Sequence, residues 1–193
     1  EYIYGERNLI LEGADISDKI KSYFNDTVNN RVDYFSNGER HPEQWDLEGF
    51  REWIKQKLTV DVDFNLINPL EMSYKDFIDE LTELLQSNYL KKEETNGAEN
   101  MRIVERLISL QVIDNKWRDH LLAMDQLRDG IWAVGYGEKN PLVEYKLEGS
   151  RLFGEMMNNL KEDILEYMMK VEIRQVEEEE PKSFIQTGEE MHQ

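Results

Sequence analysis

The sequence predicts an all-α fold: a long antiparallel two-helix hairpin with a small helical module inserted before it. Three observations carry this. Apolar residues recur at steps of three or four along most of the chain, the spacing that keeps one face of an α-helix buried. Only four prolines interrupt the 193 residues. No β-branched runs recur at regular spacing to compete as strands.

Residues 1–15 carry Ile3, Tyr4, Arg7, Ile10 and Leu11 before Gly13, which reads as the last turns of a helix closed by a glycine C-cap. The chain opens in mid-pattern without a Met, so this is expected to be the end of a longer helix from a longer chain. Asp15 or Ser17 then caps a second helix with the stripe Ile16, Ile20, Tyr23, Phe24, Val28, Val32 and Phe35, ending at Ser36-Asn37-Gly38. Asp46 can cap a third, turning Leu47, Phe50, Ile54 and Leu58 inward, with Trp45 and Trp53 adding apolar area. Val60 to Phe64 alternates like a strand but has no visible partner, which favours an extended connector. Ser73 with Asp76 resembles a capping box and opens a fourth helix carrying Phe77, Ile78, Leu81, Leu84, Leu85 and Tyr89. Asn96-Gly97 then breaks the chain. Residues 16–96 thus form the inserted module.

The hairpin spans residues 97–173. Its first arm is striped by Val104, Leu107, Leu110, Ile113, Trp117, Leu121, Met124, Leu127 and Ile131. Its second is striped by Val143, Leu147, Phe153, Met157, Leu160, Ile164, Tyr167 and Val171. Both stripes are expected to be buried against each other. Between them, Gly135 can end one helix, and Asn140 can cap the next with Pro141 at its first position. Tyr136, between Gly135 and Gly137, is not needed for that turn; it either packs down on the helix ends or contacts a partner. Beyond residue 173 the pattern dissolves, and the acidic tail 174–193 has too little apolar content to order itself.

Net charge is −18, which argues against nucleic acid and against anionic membrane surfaces as partners. The hairpin from 101 to 171 holds 10 basic and 12 acidic side chains, so the excess sits around it. The lack of Cys fits a reducing cytosol and leaves no thiolate zinc site or disulfide within these residues. No apolar run is long enough to span a bilayer.

No phosphate-binding loop or dinucleotide fingerprint occurs, and the three histidines, His41, His120 and His192, are scattered. Glu189 with His192 is a lone Glu-x-x-His match in the tail, so a carboxylate-metal enzyme is a poor reading. Trp117 reads as core, and His120 as an edge-of-seam residue hydrogen-bonded to the neighbouring arm. Asp114, Asp119, Asp125 and Asp129 read as solvated or salt-bridged face residues. This chain by itself is expected to be no enzyme and to hold no cofactor.

The stretch LQVIDNKWRDHLLAMDQLRDGI, Leu110 to Ile131, followed by Gly135-Tyr136, Lys139, Pro141 and Glu144-Tyr145-Lys146, closely resembles the SecA family of ATPase motors for bacterial preprotein translocation. The resemblance extends through Phe153 and the MMKVEI end of the second arm, and back to Ile3-Tyr4, Arg7 and Leu11-Glu12-Gly13. It covers roughly residues 1 to 173, most weakly from Asp33 to Gly97. It implies that residues 97–173 are the two-helix finger of a helical scaffold, that 16–96 is the helical wing, and that 1–15 ends the long scaffold helix.

The resemblance further implies that the finger enters the cytoplasmic mouth of the SecY channel. There Tyr136, with Gly135, Gly137 and Lys139, would meet the translocating polypeptide. Trp117, His120, Met124 and Arg128 would pack in the scaffold and couple to the motor domains, whose ATP and Mg sites would lie upstream. The implied partners are the SecY complex, unfolded preprotein and the chain's own motor domains, with a homodimer as a further option. The implied location is the cytoplasmic, inner face of the bacterial plasma membrane. Three positions depart from the family's pattern: Val134, where a basic residue is usual, Asn140, where Asp is usual, and Leu142, where a polar residue is common. The competing reading is a free-standing acidic helical adaptor or chaperone.

Overall fold

The computed structural model describes residues 2–39, 41–134 and 140–173. The expectations for Gly135, Tyr136, Gly137, Lys139 and the tail 174–193 lie outside them. Six α-helices account for the described chain: α1 (Tyr2–Leu11), α2 (Ser17–Ser36), α3 (Leu47–Leu58), α4 (Tyr74–Asn96), α5 (Ala98–Val134) and α6 (Pro141–Lys170), with a short 3-10 turn at Pro42–Gln44. The fold is all-α, and no strand occurs among the described residues.

The helix boundaries follow from local chemistry. Gly13 adopts φ +87° and ends α1, where its N–H and that of Ala14 reach back to the carbonyls of Ile10 and Leu9. Neither candidate is the N-cap of α2, which is Ile16; Asp15, one residue earlier, accepts from the Ser17 N–H at 2.8 Å, and Ser17 is buried in the first turn. Asn37 and Gly38, both at positive φ, stop α2. Asp46 accepts from the Gly49 N–H at 2.9 Å to start α3. Ser73 and Asp76 form the capping box of α4. Val60 and Val62 are buried on an extended, unpaired connector. A single residue, Gly97 at φ +85°, separates α4 from α5.

One continuous set of buried side chains runs from Ile3 in α1 to Met169 in α6. At one end of this core, aromatic rings close the module: Phe35 stacks on Phe50 at 5.1 Å, Phe50 meets Phe64 at 5.8 Å, and Phe77 meets both Phe64 and Trp45. The module is tied to the base of α6 by polar pairs as well. Lys161 reaches Asp26 at 2.7 Å, Lys57 reaches Glu166 at 2.7 Å, and Arg31 pairs with Glu162 while lying 4.7 Å over the Trp53 ring.

The long arms differ from the expected stripes. On α5, Leu107 and Leu121 are exposed, and Met101, Glu105, Ser109, Val112, Ile113 and His120 are the buried residues. On α6, Val143, Leu147 and Tyr167 are exposed, while Met156, Leu160, Ile164, Leu165, Met168 and Met169 are buried. The reason is geometric. An antiparallel pair covers one narrow line on each helix, and α5 is apolar over more than one face, so spacing alone does not say which line the partner takes.

Candidate functional site

The hairpin is where the sequence placed its functional residues, and its rungs define its geometry. Lys116 on α5 pairs with Asp163 on α6 at 2.6 Å. One turn further out, His120 meets Phe153 with ring centroids 5.8 Å apart. Next, Met124 lies over Gly149. Finally Arg128 and Ile131 face Pro141, Leu142 and Tyr145 across an open apolar groove. Residue numbers rise on one arm as they fall on the other, so the arms run antiparallel. At about 1.5 Å per residue, the 37 residues of α5 extend roughly 55 Å.

The second arm starts where its sequence says it should. Asn140 accepts from the Leu142 N–H at 3.0 Å, and Pro141 occupies the first turn, where a missing N–H costs nothing. Leu142, one of the departures, is exposed there.

Three of the four scaffold candidates fall on one line of contacts. Trp117 is half-buried; its indole N–H donates to the Tyr4 hydroxyl at 3.2 Å, and its ring meets Tyr4 edge-on at 5.7 Å. Its other neighbour is His120, with ring centroids 5.4 Å apart. His120 is buried between Trp117 and Phe153 and makes ring contacts in place of the expected hydrogen bond to the other arm. Burial lowers its pKa from the ordinary value, which favours the neutral imidazole. Met124 closes the line with its flexible thioether end against Gly149. Arg128 stands apart, exposed and paired with Asp125 at 3.3 Å and Asp129 at 3.5 Å.

A second ladder binds α1 to the other side of α5. The Arg7 guanidinium donates to both carboxylate oxygens of Asp114, at 2.7 and 3.3 Å, a two-pronged geometry suited to that pair. Tyr4 and Trp117 form the next rung outward. Even so, Leu9, Leu107, Leu121 and Leu122 remain exposed, Leu122 at 60%.

Sequence reasoning missed Gly149, Glu105 and Ser109. Gly149 had a signal, since a glycine inside a long helix usually marks a close approach. Glu105 and Ser109 had none, because a polar residue on an amphipathic helix is ordinarily assigned to water. Among the described residues no group of three or more His, Cys, Asp or Glu could hold a metal, and no helix is long and apolar enough to cross a membrane.

Residues 1–172 match the family model described as the SecA wing and scaffold domain. Curated relatives named protein translocase subunit SecA include that of Syntrophomonas wolfei, 38% identical over 98% of this chain and 23% of its own length. Those of Leptospira biflexa and Desulforamulus reducens are 33% and 35% identical over 98% and 96% of this chain, and each is matched over 21% of its length. The chain therefore spans about a fifth of the relatives it matches. Its helical order, its long hairpin and this near full-length match agree: the chain belongs to the SecA wing and scaffold family.

Proposed function

We propose that this chain is the wing and scaffold part of a SecA-type preprotein translocase, and that α5–α6 is its two-helix finger. The observation that carries the reading is the hairpin itself. It is a stiff antiparallel pair whose base is pinned to α1 by Arg7–Asp114 and to α2 and α3 by Lys161–Asp26 and Lys57–Glu166. Such a lever carries a displacement of its base out to its end. Trp117, His120 and Met124 keep the arms in register partway along, and Arg128 presents charge on the outer face.

In this reading the exposed apolar side chains of α1 and α5 dock the motor domains of the longer parent, where ATP and Mg are bound. The tip, Gly135-Tyr136-Gly137 with Lys139, meets unfolded preprotein at the SecY channel, on the cytoplasmic side of the bacterial plasma membrane. An acidic partner suits that face, because the cytoplasmic loops of membrane proteins are rich in Lys and Arg. A tyrosine ring suits the tip, because it offers amphipathic contact area at low rotamer cost and accepts many side-chain types.

The test uses Tyr136 as Tyr, Phe and Ser, with melting measured on the 193-residue chain and translocation on the full-length parent. Tyr136→Ser should change stability by no more than about 0.5 kcal/mol, as surface changes do, and should impair transport, while Phe supports it. A large drop in melting temperature with Ser, or transport unchanged by Ser, would overturn the contact role.

A further inference from the structure

The α4–α5 corner holds a cluster that no part of the finger reading uses. Glu105 of α5 is fully buried, and so is Tyr89 of α4. The Tyr89 hydroxyl donates to Glu105 Oε1, and the Arg102 guanidinium pairs with the same oxygen at 2.9 Å. Arg102 also pairs with Glu93 of α4 and lies 3.6 Å from Asp15 in the loop before α2. Lys21 of α2 acts on Asp15 from outside the cluster. One guanidinium thus serves three carboxylates drawn from three segments of the chain.

The far oxygen of Glu105, Oε2, is buried and has no hydrogen-bond partner, and neither has the buried hydroxyl of Ser109. These two residues stand one turn apart on one face of α5. The cluster straddles Gly97, the single residue joining α4 to α5, and a β-carbon placed there would touch nothing within 4 Å.

We infer that this corner is a proton-operated latch: Glu105 holds a proton on Oε2 while the corner is closed and releases it to water when the corner opens about Gly97. Three ionised carboxylates around one guanidinium leave excess negative charge; Asp15 is largely exposed, but Glu105 carries its charge out of water, where an unpaired carboxylate oxygen is costly. A proton on Oε2 removes one of those charges and turns a bare acceptor into a donor beside the Ser109 hydroxyl. Tyr89 and Arg102 keep Oε1. Burial moves the Glu105 carboxyl above its ordinary range, against the opposing pull of Tyr89 and Arg102. A raised value means that the closed corner binds the proton more tightly than the open chain does. The proton's contribution to closure is therefore present at low pH and lost as pH rises through the raised value.

The chain has no cysteine, so Lys75→Cys on α4 and Asp119→Cys on α5, both exposed, can carry a clean pair of spin labels across the corner. The wild-type background should give one narrow distance population at pH 6 and a second, displaced population at pH 9. The same labels with Glu105→Gln, which is neutral at every pH and keeps the shape, should give the narrow population at both. A wild-type distance that ignores pH, or a Glu105→Gln chain that responds as wild type does, overturns the latch. Should Glu105→Gln fail to fold, the 13C carboxyl resonance of Glu105 in the unlabelled wild-type chain decides. A midpoint above the ordinary glutamate range supports the latch, and a carboxylate signal throughout overturns it.

Discussion

The aromatic end of the wing and the outer half of the hairpin are built from the same kind of helix but solve opposite problems. In the wing, Phe50 is 1% exposed and is met by Phe35, Trp53 and Phe64, so rings fill the space between short helices from every side. In the outer hairpin the seam runs through His120 on Phe153 and Met124 on Gly149. Around that seam Leu121, Leu122, Val143 and Leu147 face outward. The aromatic end of the wing buries its rings largely against one another. The hairpin leaves much of its apolar surface bare, the expected condition of a part that other surfaces must cover.

Three variants would break or sharpen that contrast. Phe50→Ala should be the most damaging, costing about 3–5 kcal/mol because the ring sits in a space that cannot collapse around the loss. Denaturant unfolding of the chain measures it, and a cost below about 1 kcal/mol would mean that the wing is no better packed than the hairpin. Phe153→Ala should cost about 1–2 kcal/mol, since that ring is half-buried at the edge of the core. A cost equal to that of Phe50→Ala would make the hairpin seam a core in its own right. Leu121→Ser with Leu122→Ser should fall within about 0.5 kcal/mol of zero in this chain. In the same pair of variants, binding of an apolar dye should drop, because the bare surface is what the dye reads.

The boundaries of the fold were legible because each is decided by a few adjacent atoms. Asp46, Ser73 with Asp76, Asn140 with Pro141, and the breaks at Gly13, Asn37-Gly38 and Gly97 all act where the sequence put them. The burial of the long arms was legible only in part. Leu107, Leu121, Val143, Leu147 and Tyr167 are apolar at the right spacing, yet face out. Spacing reports that a helix has an apolar line, whereas the partner decides which line is used, and α5 shares itself among α1, α4 and α6. The polar interior at the corner was hidden for a related reason. Glu105 meets Arg102 on its own helix, but its other partner, Tyr89, reaches it only after the chain has turned back at Gly97. Among the site candidates, Trp117, His120 and Met124 do meet other elements, while Arg128 forms its ion pairs among the described residues with Asp125 and Asp129 of its own helix. The neighbours of His120 are the rings of Trp117 and Phe153, which spacing on one helix does not reveal.

The ladder between α1 and α5 sets a clock on synthesis. Arg7 and Asp114 are separated by 107 positions, and ribosomes add about 5–20 residues per second. The first helix therefore leaves the ribosome roughly 5–20 s before its partner exists. In that interval all of α2, α3 and α4 emerges, and the aromatic cluster of the wing, from Phe35 to Phe77, can assemble from neighbours already at hand. Helix α1 has to wait with Tyr4 and Arg7 unpaired until Asp114 and Trp117 are made. The inserted module is thus the early-folding unit nested inside a late-closing one, and the period of greatest vulnerability on this ladder falls on α1.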